Sequence, residues 1–468
     1  MTTKAFYYAV VIVAMWLLAW LVRSRRTARQ LLFLGASYAL YSSWGWWFLA
    51  LLICSSLANY GFGQLLRRRP SAARLWIGVA FNLALLGTFK YLPILAGVAA
   101  PAWGLAHLLL PVGISFWTFQ ALSYLFDLYR EDDLDPSLLE FCLYMAFWPT
   151  VLSGPICRLP NLLPQFRQDF TPSLEETRRG LDRVFMGLLM MGLAQIIGAG
   201  LHPGQGVDAA FDSITHIWGG TDVLCLMIAY GFQLFFDFAG YSHIVIGAAL
   251  LFGIRLAENF DRPYLSVTPS VFWTRWHMSL SFWIRDYLFL PLATARREIW
   301  WRNVSLVLSM VVFGLWHKAS LLFLIWGLYQ GMLLLLHRQW HQLQRWAGWQ
   351  LPEAVMKPVS WTVTFLALCA GWIFFRANTL SQAATMWSAL LHPSSYHQHV
   401  LSSGFYVLTA VVGGGYFCVV GAASLLERTG FQLSTRLPSE LKFAAYAVMF
   451  YVAVLHGAEP QGFIYFQF

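Results

Sequence analysis

Long apolar runs alternate with short basic clusters along this chain, and the runs have the length a helix needs to cross a bilayer. Candidate spans fall near 5–22, 75–89, 91–110, 111–129, 141–157, 184–201, 222–238, 240–254, 319–336, 358–375, 405–426 and 440–457. Several are too short or too close together to be separate straight spans. The pattern therefore predicts an all-α, polytopic membrane protein with about ten to thirteen transmembrane, re-entrant and interfacial helices. The first run has no small-residue cleavage site before Arg23, so it reads as a retained span with the N-terminus outside.

Breaks in the pattern carry more information than the runs. Basic clusters flank residues 31–66, which makes that segment a helical hairpin bending around Ser42, Ser43 and Gly45. The segment FWPTVLSGPICRLPNLLPQF at 147–166 holds four prolines after Trp148 and a Ser-Gly-Pro step, so it cannot be a plain spanning helix. It reads as a re-entrant or interfacial element lining a cavity. Residues 255–302 are the longest charge-rich stretch and belong on the cytoplasmic face. Within it, Trp273, Trp276, His277, Leu280, Trp283, Ile284 and Tyr287 fall on one stripe at helical spacing, which predicts an amphipathic interfacial helix with His277 at its apolar edge.

From Asn303 to Leu336 the chain is apolar again except around Trp316-His317-Lys318-Ala319-Ser320, with Arg302 and Arg338 at its ends. A second hairpin follows. His317 lies fifteen residues beyond Arg302. A continuous helix would carry it about 22 Å from the cytoplasmic interface, deep in the membrane and reachable from the far side.

Composition confirms the class, for 58% of residues are hydrophobic, only 11% are charged and the mean hydropathy is +0.57. The net charge of +9 sits in clusters between apolar runs. That is a positive-inside pattern facing lipid headgroups and excludes a nucleic-acid partner. The cysteines, Cys54, Cys142, Cys157, Cys225, Cys369 and Cys418, show no CxxC spacing and read as buried thiols.

Ionisable groups in a bilayer are costly and generally serve a site or a pathway. His317, kept neutral by desolvation, could take a proton from a hydroxyl attacking an activated acyl group, with Trp316 shaping a dry slot around it. A hydrogen-bonded core histidine in a turn is the competing reading, with Lys318 merely snorkelling. His277 could be a helix anchor or part of a polar surface with Arg275, Ser279, Ser281, Arg285 and Asp286, although Arg285 and Asp286 could equally be a local ion pair. Asp237 and His243 flank an apparent Gly-Tyr turn in FFDFAGYSHIVIG and stay open between function and structure. No metal site is expected: His392, His397 and His399 lack carboxylate or thiol neighbours, and His337 and His341 share a helix face without an HExxH glutamate. Nucleophile-elbow and Walker motifs are absent.

Six stretches carry a family resemblance: PVGISFWTFQALSYLFDLYR (111–130), FWPTVLSGPICRLPNLLPQF (147–166), FQLFFDFAGYSHIVIGAALLFGIRLAENFDRPYLS (232–266), FWTRWHMSLSFWIRDYLFLPL (272–292), GLWHKAS (314–320) and GWIFFRA (371–377). In this order they resemble the membrane-bound O-acyltransferases, above all the bacterial branch that acetylates alginate or D-alanylates teichoic acid. The ending GFIYFQF also looks like the alginate-type members.

The resemblance implies one membrane-embedded domain over 1–468, with N-terminal spans to 110, a family core over 111–377 and C-terminal spans over 378–468, around a central funnel or tunnel. It implies His317 as the catalytic histidine and His277 as the second signature histidine, with Trp316, Trp276, Arg275, Ser281 and Asp286 as candidates for binding donor or substrate. The implied activity is O-acetylation of a secreted polysaccharide, cellulose or alginate-like, at the bacterial inner membrane. No bound cofactor is expected, and an acyl donor such as acetyl-CoA or an acyl carrier enters as substrate. A periplasmic SGNH-type acetyltransferase and the polysaccharide synthesis machinery are the implied partners, beside membrane lipids. Acyl or D-alanyl transfer to a lipid, teichoic acid or protein is the alternative activity, and a non-catalytic acyl conduit the alternative class. Departures from the alginate-type pattern fall at GLWHKAS in place of GLWHGA, PLATAR in place of PLGGNR, and Gly240-Tyr241-Ser242-His243 in place of Gly-Tyr-Ser-Asp. They point to a polymer other than alginate.

Overall fold

The computed structural model describes residues 2–93, 110–130, 133–169, 172–202, 204–212, 219–348 and 352–428. The candidate span near 440–457 and the GFIYFQF ending lie outside the described residues, as does most of the candidate near 91–110. Every regular element among the described residues is helical, and eight helices are long and apolar enough to cross a membrane. The protein is a multi-pass, all-α membrane protein.

The chain forms two compact units, residues 1–184 with 242–258, and 185–241 with 259–468. In the first unit, helices Arg26–Ser42 and Trp46–Arg68 meet at a turn whose Gly45 has φ +145, where the small polar residues placed the bend. Asn59 and Asn82 exchange amide hydrogen bonds of 3.1 and 2.7 Å between Trp46–Arg68 and Ala72–Leu86. Such pairing satisfies polar groups that lipid cannot.

The candidate near 141–157 is not a span. Helix Leu138–Ala146 stops before Pro149, and tight turns follow until the short helix Leu159–Arg167. This broken backbone is buried in protein: Tyr144 donates to the Cys157 carbonyl at 3.1 Å, and the Trp148 N–H donates to Ser37 Oγ at 3.1 Å. Glu140 anchors the segment through Arg26 and through Arg167, which donates to both carboxylate oxygens at 2.9 Å. Burial alone would raise the Glu140 carboxyl, but Arg167, the Ser137 N–H and Arg26 together hold it down to about 2.

In the second unit, helices Ile299–His317 and Leu321–Ala347 form the hairpin expected from the charge pattern. Lys318 turns extended, with φ −152, and Ser320 caps the next helix by accepting from the Phe323 N–H. Glycines line the seam, for a Cβ on Gly314 would lie 2.2 Å from the Phe323 carbonyl.

Two local expectations are corrected. The candidates near 222–238 and 240–254 are one helix, Gly220–Leu251, and the Gly240-Tyr241 step is helical rather than a turn. Gly240 is there for close approach: a Cβ would come within 2.8 Å of the Gly187 carbonyl. The stripe from Trp273 to Tyr287 is likewise not one helix. Helix Pro269–Trp273 ends, His277 takes a left-handed conformation with φ 42, and Met278–Ile284 begins afresh before a π-helical turn at Arg285–Phe289. The break is held from outside, because the Met278 N–H donates to the Asn259 carbonyl at 2.9 Å and the Asp261 N–H to the Arg275 carbonyl at 3.0 Å. Helical spacing is therefore kept on either side of His277 but not across it.

Candidate functional site

His317 ends the first helix of its hairpin and is 3% exposed. Aromatic rings surround its imidazole: Trp316 at 4.8 Å between centroids, Phe313 at 4.9 Å, Phe375 at 5.3 Å, Trp326 at 5.6 Å and Phe323 at 6.2 Å. Such a sheath keeps water from the ring. Trp316 is part of it, buried beside the histidine.

Two of those rings, Phe323 and Phe375, also line a cavity of about 630 Å³. Its polar groups come from five segments, among them Gln195 of helix Leu174–Ala199. Asp208 and Asp212 belong to helix Val207–Asp212, Gln233 and Asp237 to Gly220–Leu251, Lys318 to the hairpin turn, and Arg376 to the end of Glu353–Arg376. Arg376 pairs with Asp212 at 3.2 Å and approaches Asp208 at 4.0 Å, while Gln233 donates to Asp208 at 3.1 Å. The cavity thus presents carboxylates, amides and cations together.

A third ring against His317, Phe313, lines a different cavity of about 240 Å³. This one is largely apolar, with Trp273, Phe282, Met310 and Phe313 in its wall and Ser281 and Arg285 among its few polar residues. His317 therefore stands between a polar cavity and an apolar one, a single aromatic ring from each.

His277 occupies neither. It is fully buried, its ring against Phe238 at 4.6 Å. Asn259 Oδ1 accepts from the Ser279 hydroxyl at 2.6 Å and from the Ser279 N–H at 3.3 Å, which identifies that atom as the oxygen. His277 Nδ1 at 3.3 Å must then be the protonated nitrogen. The histidine ties the left-handed turn to the 259–261 loop.

Burial pushes the His277 imidazole down from 6.5 to about 3. It is neutral when folded, whereas the unfolded chain takes up a proton near pH 6.5. Stability is therefore fully present above that pH and is lost as pH falls toward 3, by about 2 kcal/mol between pH 6.5 and 5. The melting temperature in detergent should fall more steeply from pH 7 to 5 in the parent than in His277→Gln. Parallel pH profiles for the two proteins would count against this account.

The other sequence candidates separate. Ser281 lines the apolar cavity and donates to the Trp276 carbonyl at 2.9 Å. Trp276 is buried in an aromatic cluster and reaches Trp372 at 5.1 Å, and Trp372 reaches Trp326 at 6.0 Å, so it connects indirectly to the rings around His317. Arg275 lines neither cavity. Asp286 is in the local ion pair that the sequence left open, with Arg285 Nε donating to it at 2.6 Å. Among the described residues no group of three or more metal-ligating side chains exists. Reasoning from spacing missed Asp208, Asp212, Gln233 and Arg376; the only available signal was an arginine closing the apolar run GWIFFRA.

The sequence profile of MBOAT, the membrane-bound O-acyltransferase family, matches residues 101–375. A probable alginate O-acetylase of Pseudomonas putida is 35% identical over 403 residues, covering 82% of this chain and 80% of its own length. A peptidoglycan O-acetyltransferase of Helicobacter pylori is 31% identical, over 74% of this chain and 71% of its own length. A teichoic acid D-alanyltransferase of Streptococcus thermophilus is 32% identical, over 62% of this chain and 71% of its own length.

Proposed function

The chain belongs to the membrane-bound O-acyltransferase family and is an O-acyltransferase, and on that premise we propose that it moves acetyl groups from a cytoplasmic thioester donor across the bacterial inner membrane for O-acetylation of a secreted polysaccharide, cellulose or alginate-like. The observation that carries this reading is the position of His317 between the polar and the apolar cavity. An acyl thioester suits the apolar side, where dryness slows its hydrolysis. A polyhydroxylated acceptor suits the polar side, where Asp208, Gln233 and Arg376 offer hydrogen-bond partners of both kinds.

In this mechanism the neutral His317 imidazole takes the proton of an acceptor hydroxyl as its oxygen attacks the thioester carbonyl. The carbon–sulfur bond breaks, the imidazolium returns its proton to the departing thiolate, and the products are an O-acetyl ester and a free thiol. Alternatively His317 carries the acyl group itself as a relay between the cavities. His277 acts as a positioning residue that fixes the Trp276 turn beside the apolar side, with Arg275 and Asp286 at the donor face. The acetyl acceptor at the outer face would be the polymer or a periplasmic SGNH-type partner that completes the transfer alongside the polysaccharide machinery.

A strain lacking the gene should export polymer whose base-releasable acetate has fallen to background, with recovery on complementation. Loss of D-alanine with acetate intact would move the reading to the alanyl branch of the family. An unchanged polymer would refute it.

A further inference from the structure

Two of the rings against His317 also form the wall between it and the polar cavity. Phe323 and Phe375 stand 4.8 Å apart between centroids, each in contact with the imidazole and each lining the cavity. Phe375 is buried and packs on Trp326 at 5.3 Å as well. The hairpin turn fixes Phe323, whose N–H donates to Ser320 Oγ at 3.4 Å. Phe375 has no such turn behind it. It is the penultimate residue of helix Glu353–Arg376, which closes with a bond from the Ala377 N–H to the Ile373 carbonyl at 2.9 Å. Helix ends fray unless groups outside the helix hold them.

A polar clasp holds this one. Arg376 pairs with Asp212 at 3.2 Å, approaches Asp208 at 4.0 Å and covers the Phe211 ring at 5.1 Å. The side-chain amides of Asn378 and Gln382 both donate to the Phe211 carbonyl, at 3.3 and 3.0 Å. Three side chains that follow Phe375 thus grip helix Val207–Asp212, and that grip sets the backbone from which the Phe375 ring projects.

Water is the competitor this arrangement meets. Its oxygen can attack a thioester carbonyl as a sugar hydroxyl does: the carbon–sulfur bond breaks, one water proton passes through His317 to the thiolate, and acetic acid and a free thiol result. A cavity walled by carboxylates, amides and cations is one that water enters. Selectivity for a hydroxyl acceptor over water therefore has to come from what separates that cavity from the histidine.

We propose that Phe375, with Phe323, is the seal that keeps cavity water from a thioester at His317, held closed by the clasp on Val207–Asp212, so that Phe375 determines transfer over hydrolysis. Arg376 and Asp208 also face the cavity. An acceptor whose hydroxyls bond to them loosens the clasp as it arrives, and the seal opens with the acceptor in place. The proposal rests on the reading of the chain as an acyltransferase with a thioester donor, and it adds the residue that selects the acceptor.

The test uses the full chain in detergent with acetyl-coenzyme A and no acceptor, and reads free coenzyme A and acetate. Phe375→Ala should raise both at least about 10-fold over the parent, and adding His317→Ala should return both to background. Phe375→Leu, which keeps a bulky apolar side chain, should stay near the parent, and Arg376→Gln should rise by a smaller factor. Phe374→Ala is the control and should match the parent, because Phe374 packs on Trp387 at 5.6 Å and lines neither cavity. Access is read without turnover by the rate at which diethyl pyrocarbonate labels His317 in peptide mass spectra, with the same order expected among the variants. Labelling no faster in Phe375→Ala than in the parent would overturn the seal, as would faster labelling without faster hydrolysis. An equal rise in Phe374→Ala would also overturn it, since general loosening would then be the cause. Labelling needs no substrate and polymer acetate in the deletion strain needs no variant, so failure of the seal and failure of the functional reading are distinguishable.

Discussion

Replacing His317 with alanine should lower thiol release from an acetyl thioester, and the acetate content of the exported polymer, by at least about 100-fold. The protein should still insert and melt close to the parent. The expected loss is large because His317, unlike His277, is in ring contact with residues that line both cavities. His317 touches Phe313 on the apolar cavity and Phe323 and Phe375 on the polar cavity, while His277 is enclosed beside Phe238 and lines neither. His317→Gln, which keeps a polar side chain but cannot take the proton, should be similarly inactive. If either variant retains acetylation within a few-fold of the parent, the chemistry lies elsewhere and His317 is a packing residue.

How much of this was legible in the sequence depended on whether the signal was local. Arg302 and Arg338 bracket a single apolar hairpin, so the depth of His317 could be counted along one helix, and Ile299–His317 is continuous. The bend at Ser43–Gly45 and the broken stretch after Trp148 were legible because glycine and proline act on the backbone where they stand. His277 was misread because its neighbours keep helical spacing, and what breaks the helix is Asn259, eighteen residues away. Gly240 was misread for a related reason. Its absent side chain serves contact with Gly187, and a glycine needed for close packing looks the same in sequence as one needed for a turn. The polar cavity was illegible because Asp208, Gln233, Lys318 and Arg376 come together only in the tertiary fold.

That dependence on tertiary approach makes the hairpin seam the most sensitive structural position near the site. Gly327→Val should lower the folding stability of the protein in detergent by about 3 kcal/mol and thiol release with it. A Cβ on Gly327 would sit 2.4 Å from the Met310 carbonyl and 2.8 Å from Val311 Cα, both backbone atoms that no side-chain rotation can move away. The two helices would have to separate. In a bilayer nothing drives them back together except close packing itself, since lipid solvates an apolar helix as well as its partner does. Separation would also draw Phe323 and Trp326 on the second helix away from His317 on the first, opening the histidine's sheath to water. Gly415→Ala supplies the control, for nothing lies within 4 Å of a Cβ there and alanine is the better helix former. Its melting temperature should equal or slightly exceed that of the parent. Equal melting temperatures for Gly327→Val and Gly415→Ala would mean that the hairpin is not held at van der Waals contact, and the dry slot around His317 would lose its structural basis.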